Sequence, residues 1–281
     1  MTARTFISAL AVACLIPLAC DQAPTTHPLA PDRPSLITNG TLDQNAHPDV
    51  VLIIMDIGGQ PAFRCSGTLI AAKVVLTAGH CAGEPGEFSG MRIFTESNVQ
   101  DGNNNYPFAG PNTIEAASWQ SHPLFTEAAF YLHDVGVITL SKAVRLSGGQ
   151  YGRLPTVNQL DALQPSSSTV FTAVGYGLQR INPVFVQADL IRMYAEPHLI
   201  QINTGFTGSF SLLLSNNAST GGTCFGDSGG PAIHGGYVVG DTSYGYTNNC
   251  RYLGGYQRVD IPVVRNWVLD CTADLVCPSK A

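Results

Sequence analysis

Short apolar runs separated by glycine, proline and small polar residues fill most of this chain. They are the length of strands, too short for helices. Val50 to Met55 is one continuous apolar run. Ser66 to Ala72 and Val74 to Thr77 read as a hairpin, with His80 opening the loop beyond it. Val135 to Leu140 is a further apolar strand with Asp134 at its mouth, and Thr169 to Val174 and Tyr237 to Val239 continue the pattern. Asp101 to Asn105 predicts an exposed polar turn, and the periodicity lapses around Ser141 to Pro155, as a connector between two β halves would. Near the end, Arg265 to Leu269 predicts a closing helix. Pro262 falls near its first turn, where a missing N–H costs nothing. No heptads and no fixed repeat interrupt this reading.

The first residues break the pattern. Arg4 precedes an apolar stretch, Phe6 to Ala19, too short to cross a bilayer and suited to a secretory signal over residues 1–20. Leu18-Ala19-Cys20 also fits a lipid-attachment box that would leave Cys20 acylated, although Pro17 departs from it; ordinary cleavage nearby is the alternative. Residues 21–36, with Pro24, Pro28, Pro31 and Pro34, predict an extended linker or propeptide. About 245 residues remain, enough for one well-filled β domain. The 29 glycines and 18 prolines suit a strand-and-turn protein. A net charge of −6 without a Lys/Arg cluster speaks against nucleic acid. The absence of His-Glu-x-x-His or paired Cys-x-x-Cys spacing leads us to expect neither a metal nor a cofactor. Of eight cysteines, six remain once Cys14 and Cys20 are set aside, an even number that suits disulfides after export. Six cysteines allow fifteen pairings.

Two segments carry chemistry. Gly226-Asp227-Ser228-Gly229-Gly230-Pro231 sets a serine in a tight glycine turn, where backbone N–H groups can meet a developing oxyanion. Taken alone it also fits an ordinary turn or a hydrolase nucleophile elbow. An elbow enzyme needs its acid and histidine after the serine, and only His234 follows Ser228. Upstream, Thr77-Ala78-Gly79-His80-Cys81 and His133-Asp134-Val135-Gly136 supply a base and an acid. The order His, Asp, Ser over long gaps, in segments TAGHC, HDVGVITL and GDSGGP, resembles the chymotrypsin-like (trypsin-like) serine proteases from about Ile37 to Trp267.

That resemblance implies an all-β fold of two antiparallel six-stranded barrels (about residues 37–145 and 146–281) with a C-terminal helix, the cleft between them. It implies His80 as general base, Asp134 as its orienting acid and Ser228 as nucleophile, with the N–H groups of Gly226 and Ser228 as oxyanion hole. Ser243 matches a serine that bonds the acid, and His133 is expected at the surface. Cys65–Cys81 and Cys224–Cys250 are the implied disulfides, which leaves Cys271 with Cys277. Gly222 would floor the primary pocket with Gly245 and Gly254 on its walls. Without a carboxylate there, cleavage after large apolar residues is expected. Asp227 would pair with a new amine at Ile37, although Thr38 and Asn39 depart from the usual pattern and no basic residue precedes Ile37. The implied protein is a secreted serine endopeptidase and a monomer; the lipoprotein-like start adds a lipid anchor as an alternative and points to a bacterial source. It would be cut by an activating protease after Leu36, would act on proteins or peptides, and would touch membranes only through Cys20. A catalytically impaired, protease-like binding module is the alternative; it differs in whether Ser228 is needed for hydrolysis.

Overall fold

The computed structural model describes residues 37–278 apart from 102, 103, 147, 149, 183 and 184. The expected signal, the linker, Cys14, Cys20 and Leu36 lie outside the described residues.

The apolar runs of the first half pair into a closed barrel of six antiparallel strands. Around the barrel these are Val50–Ile57, Gln60–Ala71, Val74–Thr77, Gly136–Leu140, Ile114–Ser121 and Gly90–Phe94. Closure comes when Gly90–Phe94 returns to Val50–Ile57, with Met55 opposite Met91. The barrel leaves no free edge, and Val51, Ile53, Leu69, Val75, Ile93 and Ile138 fill its interior. Both faces of Val50–Ile57 are covered, which explains its unbroken apolar run: Val51 and Ile53 face the barrel, while Val50, Leu52 and Ile54 pack outward on Phe94, Val174 and Tyr176.

The second half is a curled antiparallel sheet of nine strands, the half-barrel that answers to the expected second six-stranded barrel. The count exceeds six because Thr41–Leu42 joins the sheet and two segments are each divided into a pair of strands. Thr41–Leu42 extends one end of the sheet through Met193–Ala195, and Ser166–Val170 forms the other. The first extension is held by Arg192, fully buried, whose Nε donates to Asp43 Oδ2 at 2.8 Å while its other nitrogens reach Val50 O and Asn45 Oδ1. The predicted strand over Thr169 to Val174 is two strands, broken at Phe171.

The closing helix spans Pro262–Asp274, longer than its apolar core suggests, with Pro262 in its first turn. Val264, Trp267, Val268 and Cys271 recur at helical spacing and pack on Val74, Leu76, Val135 and Val137 of the first barrel. Each such side chain contributes about 1.5–3 kcal/mol on burial, so the end of the chain clamps the first half. The 101–105 turn is only partly exposed: Asn104 is buried and its amide reaches back to Val99 O.

Candidate active site

His80 lies in the short helical turn Gly79–Ala82 directly after the strand Val74–Thr77. A disulfide from Cys81 to Cys65 ties that turn to the barrel wall. Both sulfurs near His80 are thus bonded to one another, and this Cys65, His80, Cys81 cluster has no thiolate to offer a metal.

Asp134, fully buried, stands beside the imidazole: His80 Nδ1 is 2.9 Å from Oδ2 and 3.1 Å from Oδ1. The backbone N–H of His80 donates to Oδ1 at 2.9 Å, and the Ser243 hydroxyl donates to Oδ2. Several donors converge on Asp134, as a carboxylate requires, so Nδ1 carries its hydrogen and Nε2 keeps a lone pair. Asp134 N–H in turn donates to Gln257 Oε1 at 3.1 Å. Burial disfavours the imidazolium, but the Asp134 charge and hydrogen bond, helped by Glu127, outweigh it and hold His80 above its ordinary pKa.

The serine loop is held at almost every backbone position but two. Asp227 N–H bonds Cys224 O, Gly229 N–H bonds Thr242 O, Gly230 N–H bonds Asp227 O, and Ser228 O accepts from Ser66 N–H. Among the described residues the N–H groups of Gly226 and Ser228 have no acceptor, as an oxyanion site requires. Gly226 adopts φ +97° and Gly229 φ +75°. A Cβ on Gly229 would stand 2.0 Å from Thr77 Oγ1, so only glycine fits there. Ser228 and His80 line the same cleft, although no hydrogen bond joins Oγ to the ring; such contacts often tighten only with substrate.

Asp227 points away from the cleft into a cradle. Its Oδ1 accepts from Gly177 N–H at 2.7 Å and its Oδ2 from Cys224 N–H at 2.9 Å. Any Cβ on Gly175 or Gly177 would fall within 2.3 Å of its carboxyl oxygens. Burial pushes its pKa up to about 7 against those two donors and the Arg64 charge. Ile37, uncleaved, is buried against Met193 and Ala195, and is not among the carboxylate's hydrogen-bond partners. The next residue is already docked, with Thr38 Oγ1 2.9 Å from Asn216 Oδ1 and 3.2 Å from Gly222 O.

The cleft has two arms that meet at His80, Glu127, Phe225 and Ser228. One is walled by Thr223, Thr242, Tyr244, Gly245 and Phe130. Of the glycines expected here only Gly245 lines it. Gly222 is packed behind, where a Cβ would meet Asn216 Cγ at 2.3 Å, and Gly254 backs onto Thr223 and Tyr256. Thr223, whose hydroxyl is 3.2 Å from Tyr256 OH, lines this arm as well. The other arm runs past Phe63, Arg64, Phe88 and Leu178.

Sequence reasoning missed several supports. Gln257 and Ser66 sit in unremarkable strand positions, yet Ser66 Oγ donates to Gly226 O at 2.9 Å and accepts from Tyr176 N–H at 3.0 Å. Asp241 is fully buried, its carboxyl oxygens without a partner among the described residues. Burial and the Asp134 charge raise its pKa well above the ordinary value. His133, expected at the surface, is half-buried and stacks on His122 at 5.2 Å.

An imidazole anchored by a buried carboxylate, a serine in the same cleft and two free N–H groups define the site of a serine hydrolase. Comparison with known proteins narrows the class: the family model described as Trypsin matches residues 40–268, and the chain belongs to that family. It is 24% identical over 217 residues to trypsin iota of Drosophila melanogaster, spanning 73% of this chain and 77% of that one. To brachyurin of Leptuca pugilator it is 29% identical over 204 residues, spanning 70% and 83%. Among solved structures, HL collagenase superposes with a TM-score of 0.62 at 20% identity, covering 84% of this chain and 97% of that one. A mutant of human heparin binding protein (CAP37) gives 0.59 at 18% identity, covering 81% and 92%. At such identities the structures speak for the fold. The chain is a serine endopeptidase, a hydrolase of protein or peptide substrates.

Proposed function

We propose that hydrolysis runs through Ser228, His80 and Asp134. His80 Nε2 takes the proton from Ser228 Oγ as it attacks the peptide carbonyl, and returns it to the leaving amine. Asp134 fixes the tautomer and stabilises the imidazolium, with Ser243 and Gln257 keeping it in place. The N–H groups of Gly226 and Ser228 receive the oxyanion; removing one such donor typically costs about 3 kcal/mol in the barrier. Water then cleaves the acyl-enzyme with His80 again as base. The observation that carries this reading is the anchoring of His80 Nδ1 by buried Asp134 in a cleft lined by Ser228.

The arm walled by Tyr244, Phe130 and Gly245 takes the side chain before the scissile bond. Its aromatic walls favour large apolar or aromatic residues, since the one carboxylate among its lining residues, Glu127, stands beside His80. The protein is made as a precursor, exported, and activated by cleavage before Ile37, whose amine then pairs with Asp227. Three disulfides suit an extracytoplasmic location, either free or tethered through Cys20.

A peptide panel on secreted protein, alongside Ser228→Ala and N-terminal sequencing of the active form, tests this together. Expected are cleavage after Phe, Tyr or Leu, loss of at least about 1,000-fold in kcat with Ser228→Ala, and active material beginning at Ile37. Hydrolysis that survives Ser228→Ala would overturn the mechanism. Faster cutting after Arg or Lys would overturn the pocket assignment, and another active N-terminus would overturn the activation step.

A further inference from the structure

The second arm of the cleft holds a cation that the reaction itself does not use. Arg64 sits on the strand Gln60–Ala71, opposite Ile54 and one residue before the Cys65–Cys81 disulfide. It is half-buried, and its Nε lies 3.1 Å from where a Cβ on Gly226 would stand, so its side chain flanks the oxyanion site. Among the described residues it forms no hydrogen bond and no ion pair. Its charge is felt by Asp227, but both oxygens of that carboxylate are already taken by Gly177 and Cys224 N–H groups. The remaining acids of this arm stand apart from it: Glu87 accepts the Glu84 N–H at 2.9 Å, and Glu127 lies beside His80.

A guanidinium partly removed from water and given no partner is costly, and a carboxylate brought to it forms a charge-assisted, often bidentate pair. The geometry of the cleft says which part of a substrate could bring one. The scissile bond must lie at Ser228, so the two halves of the peptide leave along the two arms. The arm of Tyr244 and Gly245 takes the acyl half, so the arm of Phe63, Arg64 and Leu178 takes the leaving half.

We propose that Arg64 is a specificity-determining residue that selects substrates with Asp or Glu within the first two residues after the scissile bond. The inference rests on the proposed catalytic reading of the cleft. Phe63, Phe88 and Leu178 exclude water around the pair, which makes it stronger than an exposed ion pair. Glu87 and Glu127 compete for a basic residue on the same arm, and the experiment separates the two effects.

Peptides with one fixed acyl half and Glu, Ala or Lys at the first and second leaving positions are assayed on the active enzyme, reading kcat/KM ratios within each protein. The expected result is about a tenfold preference for Glu over Ala. That ratio falls to about one in Arg64→Gln, turns toward Lys in Arg64→Glu, and narrows as NaCl is raised. Because each ratio is internal to one variant, a general loss of rate does not imitate the effect. A Glu:Ala ratio near one in the parent, a preference for Lys, or a ratio that persists in Arg64→Gln would overturn the inference while leaving the catalytic reading intact. No Ser228-dependent cleavage of the Ala peptide would instead sink the catalytic reading, and the inference with it.

Discussion

Asp227 carries a carboxyl buried where its charge is disfavoured. Its carboxyl is buried in a glycine-lined cradle with two N–H donors, and burial lifts its pKa from 3.8 to about 7. Between those values the folded, uncleaved chain retains a proton that the unfolded chain releases, so stability falls as pH rises from about 4 to 7. In full-length protein carrying Ser228→Ala to prevent self-cleavage, Asp227→Asn removes that slope. Melting curves at pH 4.5 to 7.5 should show the Asp227 parent losing ground to the Asn variant as pH rises; parallel curves would refute the burial argument. Under the proposed activation, an amine at Ile37 supplies the missing positive charge and makes the ionised form favourable. The three side chains proposed to react stood out at this scale because each sits in a short motif of unusual composition. Ser66, Gln257 and Arg64 were not, because an isolated serine, glutamine or arginine in a strand looks the same whether or not another segment meets it.

Among the elements, the loop before Asp134 and the closing helix are joined by a stacked imidazole pair. The His122 and His133 rings lie 5.2 Å apart, and His122 also meets Trp267 at 5.0 Å edge-on while His133 meets Phe210 at 4.8 Å. His122 Nδ1 accepts the Leu124 N–H at 3.1 Å, and Nε2 lies 3.3 Å from Val263 O. Burial pushes His122 down to about 4, despite the Val263 carbonyl, and lowers His133 as well. The unfolded chain binds a proton below pH 6.5 that the folded chain refuses until about 4, so this pair withdraws stability as pH falls through that window. His122→Phe keeps a ring in the stack and removes the titration. Its stability relative to the parent should rise as pH is lowered from 7 to 4.5, measured by thermal melts. Asp227 acts with opposite sign over an overlapping range, so only variant-minus-parent differences are diagnostic. The apolar periodicity located most of these elements. It shortened the helix because Asp270, Thr272 and Asp274 on its exposed turns carry no apolar signal.

For the whole molecule, the cleft depends on two β halves held in register by long-range ties. Ser66 Oγ bridges Tyr176 N–H and Gly226 O across them, and the C-terminal helix belongs by sequence to the second half yet packs on the first. The Cys65–Cys81 disulfide, closing 16 residues, pins His80 to the barrel wall. Replacing both cysteines with alanine should cost about 3 kcal/mol in urea unfolding and lower kcat more than it raises KM, since the base loses its position while the acyl arm stays built. Unchanged unfolding free energy would show that the barrel alone fixes the turn.

Local order on this chain settled a good deal unaided: strand-length apolar runs require sheets, glycines around Ser228 require a tight turn, and the succession His80, Asp134, Ser228 excludes the elbow hydrolases. Those features act through neighbours in sequence, where steric and hydrogen-bonding limits are already binding. Folding in three dimensions decided the rest. It joined Thr41–Leu42 to the second-half sheet where Arg192 meets Asp43, packed Gly222 against Asn216, and set Arg64 beside Gly226. Each of these depends on a contact between segments many residues apart, and no periodicity along a strand records which distant side chain will close against it.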